Sequence, residues 1–178
     1  QGFRQLMTVC RRNQIAVRRF DSGSGEITSG PVASTVLNPG ADFLQSSHHL
    51  DQEARNNGSL VFKTTFGKTA FLLTGDIMTS VEDKLVRHAA AQLPSTVLFA
   101  PHHGSRTSSS PGLIAAVRPE VVVISAGAGN RFGFPHAEVV ARYRAAGCRI
   151  LCTGTHGAIS IRSDGTTVEV RTFADGIR

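Results

Sequence analysis

Residues 120–126, "EVVVISA", form a near-continuous apolar run only a few residues long. A half-exposed strand alternates apolar and polar side chains, whereas a run without alternation belongs to a strand covered on both faces. Such strands occur in sheets with helices packed outside, and the order of the elements around this one is that of the α/β class. The neighbouring segments agree. Residues 96–100 read as a second buried strand, and Ser110 and Pro111 as the N-cap and first residue of a helix through Val117. Pro135 opens a further helix that stops near Gly147, and 149–153 is again a strand.

Around this centre the pattern is of hairpins. Residues 59–66 and 69–74 are β-rich runs about Gly67, and "GAISIRSDGTTVEVR" alternates about Asp164-Gly165. Ser80, with Asp83 three residues on, resembles a capping box for a helix to about Leu93. Towards the N-terminus, Phe3, Leu6, Met7 and Cys10 lie on one face of a short helix, and 15–20 reads as a strand. The segment 21–31 is turn-rich and reads as a loop, 32–37 as a strand, and 41–58 as polar and irregular. The whole is expected to be one unit, α/β with mixed sheets flanked by helices.

Composition narrows the function classes. No apolar run approaches the roughly 18 residues of a membrane helix, so the segment is expected to be soluble by itself. The start lacks the apolar centre of a signal peptide, and Gln1 is not an initiator, so the chain is expected to be a piece of something longer. The net charge of +6 attracts polyanions, but its arginines are scattered and no aromatic-rich nucleic-acid motif accompanies them. Three cysteines with no CxxC spacing argue against a structural zinc or a disulfide scaffold and for buried thiols.

Chemistry-bearing residues gather where strands stop. "FLLTGD" ends in Asp76, "FAPHHGSRTSSSP" carries His102 and His103, and "ISAGAGNRFGFPH" carries Asn130 and His136. Carboxylates and imidazoles at neighbouring strand ends suit a divalent metal, whose oxygen and nitrogen ligands converge from several elements. Each has a plainer reading. Asp76 can cap the next helix, the histidine pair can be surface loop, the hydroxyls of 105–110 can be a turn and a cap, and His136 can be an idle first-turn residue. His48, His49, His88 and His156 are taken as structural or solvent-exposed.

Three segments together, "NNGSLVFKTTFGKTAFLLTGD" (56–76), "FAPHHGSRTSSSP" (99–111) and "RPEVVVISAGAGNRFGFPHAEVVARYRAAGC" (118–148), resemble the ComEC family. These are bacterial DNA-internalisation competence proteins with a metallo-β-lactamase-like domain. The resemblance implies a portion of an αββα sandwich with the site along one sheet edge. It implies that Asp76 matches a metal-bridging aspartate, and that Asp76, His102 and His103 are the catalytic and metal-binding residues for Mn or Zn. It also implies that Ser105, Arg106, Thr107, Asn130 and His136 line a groove for a DNA phosphate backbone, with Ser105, Arg106 and Thr107 donating to phosphate oxygens. "FGFPH" resembles the family's Gly-His-Pro-His segment with Phe134 in place of the first histidine.

One departure matters. The superfamily's His-x-His/Asp-x-Asp-His motif is absent, and "SSHHLDQEAR" (46–55) has the wrong order and position to replace it. The chain is therefore expected to be the C-terminal portion of the domain without its ligand-rich half, binding metal weakly or not at all. The parent is expected to be a metal-dependent nuclease of the bacterial inner membrane, with this domain outside the cytoplasm and anchored through the rest of the chain. The alternatives are a DNA-guiding module without catalysis and, third, a free-standing hydrolase of small substrates, against which "PHHGS…SSSP" counts. An open sheet edge would also permit a homodimer.

Overall fold

The computed structural model describes residues 2–18, 20–45 and 51–176. In chain order the elements are α1 (Gly2–Arg12), β1 (Glu26–Ser29), β2 (Val32–Asn38), α2 (Ala41–Gln45), α3 (Gln52–Asn57), β3 (Val61–Phe66) and β4 (Thr69–Leu73). They continue with α4 (Thr79–His88), β5 (Val97–Phe99), α5 (Pro111–Val117), β6 (Val121–Ile124), α6 (Ala137–Ala145), β7 (Arg149–Cys152), α7 (Thr153–His156), β8 (Ile159–Ser163) and β9 (Val168–Thr172). Strands β1 to β7 form one sheet in sequence order, while β8 and β9 pair separately. The first four are an antiparallel meander, and β4 to β7 run parallel, joined by helical crossovers. This is the expected α/β architecture, a mixed sheet flanked by helices, consistent with an α/β sandwich.

Alternation of side chains builds two cores from the same strands. Leu72, Leu98, Val122 and Ile124 point to one face, where α4, α5 and α6 cover them with Val81, Leu85, Leu113, Ile114, Val117, Val139 and Tyr143. Val97, Val121, Val123 and Leu151 point to the other, against Ile159, Ile161, Val168 and Val170 of the β8–β9 hairpin. "EVVVISA" thus lacks alternation because helices cover one face and a second, two-stranded layer the other. The hairpin is fastened at its tip. Lys68 N–H donates to the Gly165 carbonyl at 2.6 Å, and the Thr69 and Ser163 hydroxyls lie 2.6 Å apart. Gly67, at φ 57°, approaches so closely that a Cβ would stand 2.2 Å from the Gly165 carbonyl oxygen. Any side chain there must push the two layers apart.

Several local expectations need correction. Residues 15–18 and 20 pair with no strand among the described residues, and Arg19 lies outside them. Ile15 and Val17 remain 56% and 49% exposed, so nothing covers the face that would stabilise pairing. Residues 26–29, within the turn-rich stretch, do form a strand, because β2 supplies a ladder partner. Residues 52–57, within the irregular stretch, form α3, capped by the Asp51 carboxylate accepting from Ala54 N–H at 2.7 Å. The apolar face of α1 is largely open, with Phe3 and Leu6 at 63% and 57% exposure and only Cys10 buried. Ser80 caps nothing: α4 begins at Thr79 without a side-chain cap, and the Ser80 hydroxyl accepts from the Asn57 amide instead. Pro135 precedes α6, which begins at Ala137. Ser110 is the N-cap of α5, its hydroxyl accepting from Leu113 N–H at 3.2 Å.

Among the described residues no helix is long and apolar enough to cross a membrane. The cysteines are free, Cys10 and Cys148 buried and Cys152 half-buried. His48 and His49 lie outside the described residues. His88 is exposed, and His156 accepts the Cys152 N–H on Nδ1, a structural role.

A buried carboxylate ties the helical layer together. Glu82, on the first turn of α4, is fully buried and accepts the Ser109 and Ser110 N–H groups at 2.5 and 2.8 Å. From α6, the buried Tyr143 hydroxyl donates to Ser109 Oγ at 2.8 Å, and Arg142 donates to the Ser108 and Ser109 carbonyls at 3.2 Å each. Burial pushes the Glu82 carboxyl up, against the bonds from Ser110 and Ser109 that pull it down. Glu82→Ala leaves two backbone donors without their acceptor and should cost about 3 kcal/mol in urea unfolding. A loss within about 0.5 kcal/mol, the range of an ordinary surface substitution, would contradict this role.

Candidate functional site

The parallel strands β4, β5 and β6 end on the same side of the sheet, and open sheets of this kind place ligands outside the carboxyl ends of their strands. β3 begins at this end because it runs antiparallel to β4. A cleft of 760 Å³ lies here, lined by α3, the turn after β4 and the loops after β5 and β6. Asp76, His102, His103, Ser105, Thr107 and Asn130 all line it. The expectation that strand ends gather these side chains therefore describes the molecule.

Asp76 does not cap α4. Its carboxylate faces His103, with Oδ1 3.3 Å from Nε2 and the two side chains 41% and 46% exposed. Across the same ring, Nδ1 lies 2.8 Å from the Ser125 carbonyl. A carbonyl only accepts, so Nδ1 carries a proton. A neutral imidazole has one proton, so Nε2 then presents a lone pair to a carboxylate oxygen. Two acceptors at 3.3 Å repel unless a second proton or a cation stands between them. The Asp76–His103 pair is therefore a site that attracts positive charge.

His102 is held less firmly. Its Nε2 lies 3.5 Å from the Asn56 amide and its Nδ1 3.4 Å from the Thr107 hydroxyl, both at the limit of hydrogen bonding. His102 and His103 both adopt left-handed backbone, φ 48° and 56°, which costs non-glycine residues roughly 1–3 kcal/mol each. The turn persists because its surroundings fix it. His102 N–H donates to the Gly75 carbonyl at 3.0 Å, and the buried Ser108 hydroxyl bonds the Pro101 and Ser105 carbonyls at 2.8 and 2.9 Å. Gly104, at φ 79°, lies where a Cβ would meet Pro135 at 2.6 Å.

The remaining residues of the expected groove divide. Ser105 is buried, its hydroxyl 3.0 Å from that of Thr107, so of these two hydroxyls Thr107 is the one open to solvent. Arg106 is exposed; its N–H donates to His136 Nδ1 at 3.2 Å, which gives His136 a structural bond beside the cleft rather than a place in its lining. Asn130 is spent inside its own loop. Its amide donates to the Gly127 and Phe134 carbonyls, and its oxygen accepts from Phe132 and Phe134 N–H. Phe134 packs among the imidazoles, its ring centroid 5.7, 6.4 and 5.3 Å from those of His102, His103 and His136.

Sequence reasoning assigned no role to the residues that aim Asp76. Ser59 Oγ accepts the Asp76 N–H at 3.0 Å, Asn57 Oδ1 accepts the Met78 N–H at 2.9 Å, and Asn38 donates to the Asn57 and Ser59 carbonyls. The signal available was position: Asn57 and Ser59 are polar residues just before a strand antiparallel to the one that delivers Asp76, and Asn38 ends the strand beside it. As a metal centre the set is partial. Asp76 and His103 offer a carboxylate oxygen and an imidazole nitrogen, but among the described residues no three His, Cys, Asp or Glu side chains gather to hold an ion. The residues present fit one side of a divalent-metal centre, not a closed one.

This is an α/β protein with an acid–imidazole cleft at its strand ends. Competence protein ComA of Neisseria gonorrhoeae is 41% identical over 118 residues, 66% of this chain and 17% of that protein. Recombination protein 2 of Haemophilus influenzae is 32% identical over 128 residues, 72% of this chain and 16% of that one. ComE operon protein 3 of Bacillus subtilis is 33% identical over 112 residues, covering 63% and 14%. The chain thus spans about a sixth of the length of these curated relatives, one of which is named for competence, one for recombination and one for the ComE operon. No family model matches it. The resemblance to competence proteins holds.

Burial lowers the His102 pKa from its ordinary 6.5, outweighing the nearby Asp76 charge that raises it, while His103 lowers it further. The folded chain therefore resists protonating His102 more than the unfolded chain does. Its contribution is intact above the unfolded pKa and is lost as pH falls through the lower folded value. Melting temperatures measured from about pH 8 down to about pH 5 should decline through that window, and His102→Asn should flatten the decline. An unchanged slope in the variant would contradict the burial of this ring.

Proposed function

We propose that the chain is part of a bacterial DNA-uptake protein, in a metallo-β-lactamase-like domain whose cleft acts on the phosphodiester backbone of incoming DNA. The observation that carries this reading is the Asp76–His103 pair, two acceptor atoms at 3.3 Å that require positive charge between them. Similarity to a protein named for competence supports the DNA-uptake context. A divalent ion such as Mn²⁺ or Zn²⁺, held by Asp76 and His103 with His102 beside them, would supply a water of lowered pKa and polarise a phosphate oxygen. The chain's own share is positional. Ser125 fixes the His103 tautomer, Ser59 and Asn57 aim the Asp76 turn, and Thr107 with the exposed Arg106 offers donors to phosphate.

A second reading has a specific observation behind it. No third ligand joins the pair among the described residues, and Phe134 packs against both cleft histidines. In that reading the domain guides DNA without cutting it.

Titration of Mn²⁺ and Zn²⁺ into this chain, and into one extended upstream in its parent, separates the two, with nuclease assays on single- and double-stranded DNA beside it. The nuclease reading expects weak binding here, and tight binding with cleavage in the extended protein. Asp76→Ala there should abolish cleavage and weaken metal binding by more than about tenfold, since loss of a partner one shell further out already costs that much. An extended protein that binds DNA but neither holds metal nor cuts would establish the guiding role instead.

A further inference from the structure

Phe132 stands 57% exposed, and unlike Phe3 and Phe173, which are also exposed, it lines the cleft. Its ring stacks on Phe134 at a centroid distance of 5.4 Å and an interplanar angle of 18°, and Phe134 stacks in turn on His103 at 6.4 Å and 23°. A column of near-parallel rings therefore runs from the cleft mouth to the imidazole that faces Asp76. The column is held in place. Asn130 Oδ1 accepts the backbone N–H of both Phe132 and Phe134, at 3.2 and 3.0 Å, so the loop need not order on binding. The Arg131 guanidinium carbon lies 4.7 Å from the Phe132 ring centroid, and this arginine is itself exposed.

Held this way on the cleft wall, the exposed Phe132 ring offers apolar area that a flat group can cover. The guanidinium is a weak cover at an exposed site, and stacking of a nucleobase on an aromatic ring is the stronger contact. A base that displaces Arg131 also releases a cation to pair with the adjoining phosphate. Both faces of a base inside a duplex are occupied by its neighbours, so only an unpaired base presents a free face.

We infer that Phe132 is a stacking platform for an unpaired nucleobase, with Arg131 as its displaceable cover, so that the cleft receives single-stranded DNA rather than intact duplex. This rests on the DNA-directed reading above and adds to it the form of the substrate and the residue that selects it. Neither the metal pair nor any cleavage step is involved.

The test is equilibrium binding, by fluorescence anisotropy, of the full 178-residue chain to three labelled probes. These are oligo-dT of about 12 nucleotides, an abasic strand of equal length and a blunt duplex, lengths within the range one single-strand-binding module covers. Oligo-dT should bind about tenfold more tightly than the abasic strand, which has the same phosphates and no base to stack. Phe132→Ala should bring oligo-dT down to the abasic level and leave the abasic affinity unchanged. Phe132→Trp should retain the preference, with indole fluorescence quenched by oligo-dT and not by the abasic strand. Equal binding of the two strands by the unaltered chain, tighter binding of duplex than of oligo-dT, or an equal loss for both strands in Phe132→Ala, would overturn the inference while leaving DNA binding intact. Failure of all three probes to bind would overturn the DNA-directed reading with it.

Discussion

The arrangement of the cleft depends on one buried carboxylate. Glu82 projects from the first turn of α4 into the layer between α4 and α5, where it accepts the two backbone amides that open α5. Those amides belong to Ser109 and Ser110, the end of the loop that carries His102 and His103. The loop holds three non-glycine residues at positive φ, His102, His103 and Ser109, at a cost of roughly 1–3 kcal/mol each. Two charge-assisted bonds from Glu82, at about 1.5–3 kcal/mol each, are of the same order. The Arg142 and Tyr143 bonds from α6 add to them. Without such anchoring the chain would relax to ordinary backbone, and His103 would no longer face Asp76.

The sheet supplies the rest of the geometry. Parallel β4, β5 and β6 deliver three loops to one end, and the antiparallel β3 brings the Asn57–Ser59 segment to that end as well. Each loop is then tied to its neighbour rather than left to itself. Ser59 holds the turn of Asp76, Gly75 accepts from His102, and Ser125 accepts from His103. A cleft built this way is rigid at its floor. Its other wall is the Phe132–Phe134 loop, pinned by Asn130.

The sequence made the centre of the fold legible and its periphery less so. "EVVVISA", the Ser110-Pro111 cap and the Asp164-Gly165 hairpin carry strong local signals that tertiary context reinforces. β1 lies in a glycine- and serine-rich stretch and exists because β2 offers it a ladder, which no local pattern reports. α3 is polar and short and depends on the Asp51 cap; the apolar residues of 15–18 find no strand partner among the described residues. At the site, residue type and strand-end position were enough to gather Asp76, His102 and His103. They could not show that Asn130 is consumed within its loop, that Ser105 is buried, or that Glu82 is the support. A lone glutamate in an amphipathic helix reads as a solvated residue, and only the packing of α4 against α5 reveals that it points inward.

The central claim is that His103 keeps its proton on Nδ1 and turns a bare Nε2 toward Asp76. Long-range ¹H–¹⁵N spectra of the imidazoles test it most directly, recorded at alkaline pH, where a free imidazole is neutral, with and without Zn²⁺. The expected result is a protonated Nδ1 and an unprotonated Nε2 for His103, with the Nε2 resonance shifting on addition of metal and that shift lost in Asp76→Ala. A His103 found in the opposite tautomer, with Nε2–H donating to Asp76 and no response to metal, would contradict it.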